Sequence, residues 1–272
     1  MTDRGLDVEH AVQRLGEDGY VILPGVMSAG EVARYQAEAY RLHADDQQAA
    51  ARQQRQNDAD FKMYSEYGDH IFNLARKTRV FDALYEHPVV VSILQAVMKN
   101  KFILTQTEMR RPRPNVRSGS ANRFHRDARI ITDTHLWVTA FWTLEDVTPT
   151  NGPTVVLPGS HRRKTAAEDE TGAGVTLLSR AGDLTLMDSN LLHKASESLD
   201  GSSRWILIFT YNQWFLKPTV DHTRYFTLAQ VDAMSPALRE MFGFTSIPPS
   251  DERKRMYTCR PWEEIRDEFD RT

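Results

Sequence analysis

Apolar residues at helical spacing dominate the first hundred positions of this chain. They predict a helix over Val8–Leu15 that stops at Gly16 and Gly19, where glycine interrupts the pattern. The apolar run Tyr20–Leu23 is short and ends at a Pro-Gly pair, which predicts a brief strand. The chain is therefore expected to begin with a helix followed by a short strand.

Two further helices are predicted in this part of the chain. Ser28 and Glu31 have the spacing of a capping box, in which the serine caps the helix and the glutamate returns to the cap amide. This helix is expected to continue past Tyr40. His87-Pro88 opens the next one, because proline suits the first helical turn. Its buried face is expected to consist of Val89, Val90, Ile93, Leu94 and Val97.

Residues 45–60 are rich in Gln, Ala, Arg and Asp and contain almost no large apolar side chain. This composition fits an exposed helix or a mobile loop, and the sequence does not choose between them. Flaps over active sites often have this character, but a solvated surface is the more common reason for it. We therefore expect a surface segment here and leave its structure open.

The pattern changes after residue 100, where short runs rich in β-branched and aromatic residues replace the helical spacing. Turn residues separate these runs, as at 151–153 and 200–202. Many short strands with regular turns are typical of a sandwich or a barrel. Strands are predicted at Phe102–Met109, Ile130–Ile131, Leu136–Leu144, Thr154–Leu157, Val175–Leu178, Leu184–Met187 and Trp205–Tyr211.

The expected fold class is mainly β with flanking α-helices. No internal repeat or hinge-like linker is visible, so a single domain over 1–272 is the simplest division. It would comprise a helical part over about 1–100, a β core over about 101–215 and a helical extension over about 216–272. Helices in the extension are predicted at Leu228–Met234, Pro236–Phe242 and Trp262–Phe269.

Composition excludes several classes of function. The 272 residues carry a formal net charge of −3 with a pI near 6.3, so no global positive field favours nucleic acid or an acidic membrane. A single cysteine, Cys259, rules out an internal disulfide and a CxxC metal site. No secretory signal or run of eighteen apolar residues is visible. We therefore expect a cytoplasmic protein that acts on a small molecule, with no nucleic-acid or membrane partner.

Candidate chemistry is concentrated in three short stretches. His125 and Asp127 form an H-x-D pair, and His193 follows 66 residues after Asp127. Two imidazoles and one carboxylate are the ligand set of the facial triad, which holds non-haem Fe(II) and leaves positions open for oxygen chemistry. In an extended strand alternate side chains share a face, so His125 and Asp127 should point the same way and Arg126 the opposite way. His193 is expected to come from another strand.

Arg204, eleven residues after His193, supports this interpretation. It opens an apolar strand, where a buried guanidinium is costly unless an anion pairs with it. A planar, bidentate donor suits a carboxylate, so Arg204 is a candidate to hold an anionic co-substrate beside the metal. An isolated H-x-D with a later histidine often arises by chance, and Arg204 makes chance a poorer explanation.

The segment Asn151–Arg162, which reads NGPTVVLPGSHR, resembles the signature of the phytanoyl-CoA dioxygenase family. In that family an NGP-x-x-x-x-PGSH segment lies between the H-x-D pair and the distal histidine, and an arginine follows. Asp18–Gly25, which reads DGYVILPG, is similar to the family's opening strand. The match runs from about residue 10 to residue 212, and the order and spacing of its parts are specific.

The resemblance implies a double-stranded β-helix (jelly-roll) dioxygenase that uses Fe(II), 2-oxoglutarate and O2 and releases succinate and CO2. His125, Asp127 and His193 would be the iron ligands, and Arg204 would bind the far carboxylate of 2-oxoglutarate. Hydroxylation of an aliphatic C–H is the expected outcome, while desaturation, cyclisation and endoperoxide formation stay open. Asp127 argues against halogenation, because halogenating relatives have a small residue in its place.

The resemblance decides less about other positions. Trp142 matches a position where the family often has an aromatic residue near the co-substrate, and a core tryptophan is an equal alternative. Many relatives have Ser or Thr two residues after the distal histidine, where this chain has Ala195, so a hydroxyl contact would come from elsewhere, with Ser196 as a candidate. His161 and the turn at 151–153 are interpreted as fold markers.

The substrate is defined least. Gln106 and Glu108 lie at alternate positions on a predicted strand and are expected to face the cavity, with Gln106 as a candidate cofactor contact. Trp214, Phe215 and Tyr225 would form an apolar wall or part of the core. Arginines around the H-x-D pair would suit a substrate phosphate or carboxylate, although a solvated basic loop is slightly favoured. A small anionic or amphiphilic metabolite, as in secondary metabolism, is expected. The arginines are Arg110, Arg111, Arg113, Arg117, Arg123, Arg126 and Arg129.

Two other functions stay open on the sequence alone. One is a cupin-like iron oxygenase that takes its electrons from the substrate and needs neither 2-oxoglutarate nor Arg204. The other is a catalytically inactive jelly roll that binds a ligand. The intact H-x-D pair, His193 and Arg204 weigh against the second, because an inactive relative has no reason to keep all four.

Overall fold

The structure is a computed structural model that describes residues 7–53, 69–112, 123–128, 130, 132–163, 174–249, 253 and 260–269, without the side chains of 49–53 and 267–269. Several positions named above therefore lie outside the described residues. They are Cys259, Ile131, residues 54–60, Arg113, Arg117 and Arg129.

The described strands form two antiparallel sheets. The strands are β1 (Tyr20–Leu23), β2 (Asp69–Phe72), β3 (Phe102–Arg111), β4 (Trp137–Thr143), β5 (Thr154–Val156), β6 (Val175–Thr176), β7 (Leu184–Asp188), β8 (His193–Ala195) and β9 (Ile206–Gln213). The main sheet has the order β1-β7-β4-β9-β3-β2, and the small sheet has the order β6-β5-β8. Two sheets that face each other in this way give the expected jelly-roll core.

Helices flank this core at both ends of the chain. They are α1 (Val8–Asp18), α2 (Ala29–Gln53), α3 (Leu74–Lys77), α4 (Asp82–Tyr85), α5 (Pro88–Met98), α6 (Leu228–Asp232), α7 (Pro236–Met241) and α8 (Trp262–Phe269). Short 3-10 turns occur at Ser160–Arg162, His222–Arg224 and Phe244–Ser246. Among the described residues, none of the helices combines the length and apolar character that a bilayer crossing needs.

The first helix is longer than predicted, because it runs through Gly16 and ends at Gly19. The Asp7 side chain caps it by accepting from the His10 amide at 3.0 Å. Gly19 has a left-handed φ of 83°, and its amide donates to the Leu15 carbonyl at 3.0 Å. This conformation costs glycine little. The end of α1 is thus set by backbone geometry.

The helix starts predicted at Ser28 and His87 are confirmed. The Ser28 amide donates to the Glu31 carboxylate at 2.8 Å, and the Glu31 amide donates to the Ser28 hydroxyl at 3.3 Å. The His87 side chain accepts from the Val89 amide at 3.4 Å at the start of α5. That helix buries an apolar face, and burying each large side chain contributes roughly 1.5–3 kcal/mol. The buried residues are Val90, Ile93, Leu94 and Met98.

The structure adds one strand and removes another. No prediction was made for Asp69–Phe72, which form β2 and pair with β3 at the edge of the main sheet. Ile130 was expected in a strand, but it lies outside any strand and is 59% exposed. The part of the chain before residue 100 therefore contributes β1 and β2 to the sheet and is not purely helical.

The main sheet has one face against the helices and one face toward the small sheet. Along β4, Val138, Ala140 and Trp142 are fully buried in the cluster that also holds the helices. Phe141 points to the other side, where it packs with Val156 of the small sheet. This alternation is the period-two pattern of a strand buried on both faces. The space between the two sheets is where the candidate ligands lie.

Candidate active site

The three predicted ligands come together at one end of the small sheet. Nε2 of His125 lies 3.6 Å from Oδ1 of Asp127, and Nε2 of His193 lies 3.7 Å from the same oxygen. Ligand atoms at right angles around a first-row metal, each about 2.1 Å from it, lie about 3 Å apart. These two separations are close to that value, and all the candidate ligand atoms lie within 4.8 Å of one another.

A single pair of residues, rather than a strand, brings the first ligand to the last. The His125 amide donates to the His193 carbonyl at 2.9 Å, and the His193 amide donates back at 3.0 Å. This isolated antiparallel bridge places both imidazoles on the same side. The prediction of an extended strand at His125–Asp127 is thus correct only at His125. Asp127 lies in a bend and reaches the site because its amide donates to the Ser189 carbonyl at 2.9 Å.

Both imidazoles are prepared to act as ligands through Nε2. Nδ1 of His125 lies 3.0 Å from the Arg123 carbonyl, and Nδ1 of His193 lies 2.9 Å from the Leu191 carbonyl. A carbonyl only accepts, so Nδ1 carries the proton and Nε2 keeps its lone pair. Burial lowers the pKa of His193, and His125 lowers it further against the opposing charge of Asp127. The donor set and its tautomers fit a divalent metal ion.

Arg204 lies in a small cavity between the two sheets. The side chain is 5% exposed, and one terminal nitrogen donates to the Gly152 carbonyl at 2.5 Å. Nε has no hydrogen-bond partner in the described part of the chain. Burial lowers the pKa of Arg204 to about 10, opposed by the charge of Glu145, so the guanidinium stays protonated near neutral pH. A buried cation with an unused donor fits a bound carboxylate. The residues that line the cavity with it are Phe141, Val147, Thr154, Leu177, Ser179, Thr185 and Ile206.

Arg204 lies near the metal ligands by strand register. Thr154 pairs with Ala195, and Val156 pairs with His193, so the two pairs are two residues apart along the small sheet. Two residues of a strand span about 7 Å. Thr154 lines the Arg204 cavity, so the register places this cavity about two residues along the small sheet from the pair that contains His193.

The aromatic residue at this cavity is Phe141, not Trp142. Trp142 is fully buried on the helix side of β4, where its ring contacts His87 edge to face at a centroid distance of 5.3 Å. Neighbouring residues of a strand face opposite sides, so the cofactor contact predicted for Trp142 is wrong and the core alternative holds. Both residues are large and apolar, so the sequence pattern did not show which of them faces the cavity.

The hydroxyl groups at the cavity also differ from the prediction. The Ser196 amide donates to the Pro153 carbonyl at 3.1 Å, which extends the ladder of β8 by one residue. Ser196 therefore has the parity of Lys194 and faces away from the inner side that His193 and Ala195 share. The available hydroxyls on the cavity side are those of Thr154 and Thr185, because the Ser179 hydroxyl bonds to that of Thr143 at 2.9 Å.

Gln106 and Glu108 have the strand parity of Thr139 and Phe141 on the inner face of the main sheet, but neither lines the Arg204 cavity. The contact of Gln106 with the cofactor stays a prediction. Glu108 is 1% exposed, and its carboxylate accepts from the Gln106 amide at 2.6 Å and from His70 at 2.7 Å. Arg110 pairs with its other oxygen at 2.7 Å. Burial alone would raise the pKa of Glu108, but Arg110 and His70 lower it to about 2. No described contact joins Gln106 to Arg204.

The arginines near the H-x-D pair mostly have partners within the protein. Arg110 pairs with Glu108, and Arg111 pairs with Asp69 at 2.5 Å while lying over the Trp205 ring. These contacts give both guanidinium groups a structural role. Arg126 is turned away from the ligands, as predicted, and donates to a backbone carbonyl. Of the described arginines in this group, Arg110 and Arg123 are exposed.

The candidate apolar wall divides between core and surface. Tyr225 packs against the buried cluster beside the helices, with Phe226 at a ring-centroid distance of 4.5 Å. Phe215 is 56% exposed and contacts Trp214 edge to face. None of the three lines the Arg204 cavity, so Tyr225 is explained by core packing.

The two sequence signatures meet beside the site. The Gly159 amide donates to the Asp18 carbonyl at 2.9 Å, and His161 lies 3.1 Å from the Gly16 carbonyl. A Cβ at Gly19 would lie only 2.5 Å from Nδ1 of His161, so that position requires glycine. His161 is a fold marker, as predicted.

Ser160 of the same signature was not singled out by the sequence. Its hydroxyl accepts from the Leu192 amide at 2.8 Å, directly before His193. It therefore helps to hold the chain that presents the distal ligand.

Comparison with known proteins gives the family. The phytanoyl-CoA dioxygenase (PhyH) family model matches residues 15–205, which is more than half of the 272-residue chain. The chain belongs to the phytanoyl-CoA dioxygenase family. The expected family, fold and enzyme class are therefore confirmed.

Several named proteins are similar to this chain in sequence or in fold. The iron/alpha-ketoglutarate-dependent dioxygenase ausU of Aspergillus calidoustus is 23% identical over 257 residues, covering 89% of this chain and 83% of that protein. The epimerase SnoN, solved with Fe3+, alpha ketoglutarate and nogalamycin RO, superposes with a TM-score of 0.59 at 23% identity over 78% of this chain and 86% of its own. The carbocyclase SnoK from nogalamycin biosynthesis superposes with a TM-score of 0.56 at 19% identity over 78% and 86%. The expected cofactors are those named for these proteins.

Proposed function

We propose that this member of the phytanoyl-CoA dioxygenase family uses Fe(II) and 2-oxoglutarate to hydroxylate an aliphatic C–H of a small-molecule metabolite. The observation that supports it most is the convergence of His125, Asp127 and His193, whose ligand atoms all lie within 4.8 Å of one another. The buried, incompletely paired Arg204 supports the co-substrate. Arg204 is buried, and a buried cation is costly unless an anion pairs with it.

Each site residue has a defined task in this proposal. His125, Asp127 and His193 hold Fe(II) through two Nε2 atoms and one carboxylate oxygen, and Arg204 holds the far carboxylate of 2-oxoglutarate. When bound, the metal and co-substrate supply O2 activation coupled to decarboxylation of 2-oxoglutarate to succinate and CO2.

The remaining cavity residues prepare this chemistry by binding and exclusion. Phe141, Leu177 and Ile206 line the cavity with apolar surface, which keeps water away from the ion pair of Arg204 and strengthens it. Thr154 and Thr185 supply hydroxyl donors. Nδ1 of each imidazole carries a proton and donates it in a hydrogen bond to a backbone carbonyl. The ring orientation is therefore fixed before the metal binds.

The substrate is proposed to approach from the open side of the triad. The Asp127 and His125 side chains are 41% and 38% exposed, whereas that of His193 is 11% exposed. An anionic or amphiphilic small molecule is the proposed class. Arg110 and Arg111 already have partners, so ionic contacts to the substrate would come from other groups.

A second outcome of the same chemistry is ring closure or epimerisation. The folds of SnoK and SnoN, a carbocyclase and an epimerase by title, are both similar to this chain. These reactions use the same cofactors and begin at a substrate C–H. They differ from hydroxylation in the mass of the product, because no oxygen atom is gained.

The test is an aerobic screen of candidate metabolites with Fe(II) and 2-oxoglutarate, in which succinate and product mass are measured together. The proposal expects substrate-dependent succinate release with a gain of one oxygen atom, and loss of both in Asp127→Ala. Succinate without added oxygen would replace hydroxylation by cyclisation, desaturation or epimerisation.

The same screen separates the two other functions left open by the sequence. Product formation without 2-oxoglutarate, at the same rate in the wild type and in Arg204→Ala, would indicate an oxygenase that takes its electrons from the substrate. A wild-type protein that binds metabolites but fails to bind Fe(II) would indicate an inactive jelly roll. Either result would overturn the proposed function.

A further inference from the structure

The turn at 188–191, between β7 and β8, connects the two parts of the triad. The turn is buried, and its carbonyl oxygens accept hydrogen bonds from the ligand residues. The Ser189 oxygen accepts from the Asp127 amide at 2.9 Å. The Leu191 oxygen accepts from Nδ1 of His193 at 2.9 Å. One short turn thus contacts the backbone of one ligand and the ring of another.

The Arg126 side chain binds the Asn190 carbonyl, which lies between these two. Its Nη1 donates to the Asn190 oxygen, so three successive carbonyls of the turn bind the ligand segments. The residue is 8% exposed, and Nη2 has no hydrogen-bond partner among the described residues. A buried guanidinium with so few partners contributes little to folding stability and is often replaceable by an apolar side chain. Its place between two ligands calls for another explanation.

Asp188 holds the turn itself in shape. One carboxylate oxygen accepts from the Asn190 amide at 2.6 Å, and the other pairs with Nδ1 of His135. The first contact fixes the Ser189–Asn190 peptide group, whose carbonyl accepts from the Asp127 amide, and so holds the residue whose own carbonyl Arg126 binds. The second ties the turn to the start of β4. Arg126 therefore binds a buried turn that the Asp188 carboxylate holds through two contacts.

Asp127 needs such support, because its own side chain has little. The carboxylate is 41% exposed and makes no hydrogen bond within the described part of the chain; its only close groups are the two histidines. The segment that carries it forms one isolated bridge at His125 and no strand. The position of the carboxylate is set by the backbone on either side of it, and Arg126 is the residue directly before it.

We propose that Arg126 is a positioning residue, which holds the H-x-D segment against the β7–β8 turn and thereby sets the metal affinity of the triad. The inference rests on the proposed function for the existence of the metal site. It concerns a side chain that touches neither the metal nor the substrate. Changing residues around metal ligands typically costs roughly 10- to 100-fold in metal affinity.

The experiment titrates Co(II) alone into the full-length apoprotein and follows the visible bands that report its coordination. Arg126→Met removes the donor while keeping much of the side-chain volume, and Arg126→Lys keeps a donor for the Asn190 carbonyl. Arg123→Met is the matched control, because Arg123 lies on the same segment and is exposed. The Tm of each metal-free variant is measured in parallel.

The proposal expects Arg126→Met to weaken Co(II) binding roughly 10- to 100-fold and to alter the visible bands. Its metal-free Tm should be unchanged or raised, because an apolar replacement for a poorly paired buried charge is neutral or stabilising. Arg126→Lys should bind more tightly than Arg126→Met, and Arg123→Met should match the wild type.

Two results would overturn the assignment. Wild-type affinity in Arg126→Met would show that the ligands need no such support. A metal-free Tm or solubility that falls along with the affinity would make Arg126 an ordinary structural residue. Failure of the wild type itself to bind Co(II) would instead count against the proposed function, so the two are distinguishable.

Discussion

Thr154 lies directly opposite Ala195 in the antiparallel pair of β5 and β8, and Thr154 also lines the cavity of Arg204. Side chains of directly opposed residues lie about 4.5–5.5 Å apart at Cβ. A hydroxyl on either residue would therefore reach nearly the same point. This chain has Ala195 where many relatives have Ser or Thr, so that hydroxyl is absent. Thr154, the cross-strand neighbour of Ala195, has a hydroxyl.

Thr154→Val is expected to weaken 2-oxoglutarate binding about tenfold or more, because a hydrogen bond to a charged group contributes roughly 1.5–3 kcal/mol. Adding Ala195→Ser to that variant should restore much of the affinity. Calorimetric titration of 2-oxoglutarate into the Mn(II)-loaded protein measures both. Thr176→Val, an exposed threonine on the same small sheet, is the control. Equal affinity in Thr154→Val and the wild type would remove Thr154 from the co-substrate site.

Trp142 and Phe141 should respond oppositely to mutation. Trp142→Phe leaves space in the buried core, so it is expected to lower the free energy of unfolding by about 1–3 kcal/mol with 2-oxoglutarate affinity unchanged. Phe141→Leu reshapes the cavity wall and is expected to weaken 2-oxoglutarate binding. Urea unfolding and the titration above measure the two effects. A loss of affinity confined to Trp142→Phe would return that residue to the site.

The buried Glu108 carboxylate predicts an acid-dependent loss of stability. Its pKa in the folded protein is lowered from 4.5 to about 2, so its contribution is fully present above pH 4.5 and disappears as the pH falls toward 2. Burial also lowers the pKa of His70, and charging this histidine in acid acts in the same direction.

Glu108→Gln should therefore cost most at neutral pH and progressively less in acid. Urea unfolding of both proteins at pH 7, 5 and 3.5 measures the difference. Asp45→Asn, which alters the exposed pair with Arg41, should have a small effect at every pH. A difference for Glu108→Gln that is constant across this range would mean that the carboxylate is not held in its charged form by its neighbours.

The clustering of the three candidate ligands was predictable from the sequence because their signal is local and chemical. The pattern consists of an H-x-D pair, a later histidine and an arginine at a short interval. It indicates the same chemistry whatever the length and structure of the loops between them. The capping box at Ser28 and the proline at the start of α5 are local in the same sense. Each depends on residues within a single turn of chain.

Other features depend on register and on distant contacts. The choice between Phe141 and Trp142 is a matter of strand parity, and a shift of one residue moves every side chain to the opposite face. The predicted contact of Ser196 also depends on strand parity, because Ser196 faces away from the inner side of β8. Arg126 looked like one of many basic residues, because its partner carbonyl at Asn190 is 64 positions away. No sequence pattern around Arg126 predicts a contact at that separation.

The central claim is that His125, Asp127, His193 and Arg204 hold Fe(II) and 2-oxoglutarate together. Anaerobic addition of 2-oxoglutarate to the Fe(II)-loaded wild type tests it most directly, through the weak visible charge-transfer band of the chelate. The account predicts that this band appears in the wild type, is lost in Asp127→Ala, and requires far more 2-oxoglutarate in Arg204→Ala. A wild type without the band, or an Arg204→Ala variant that titrates like the wild type, would contradict it.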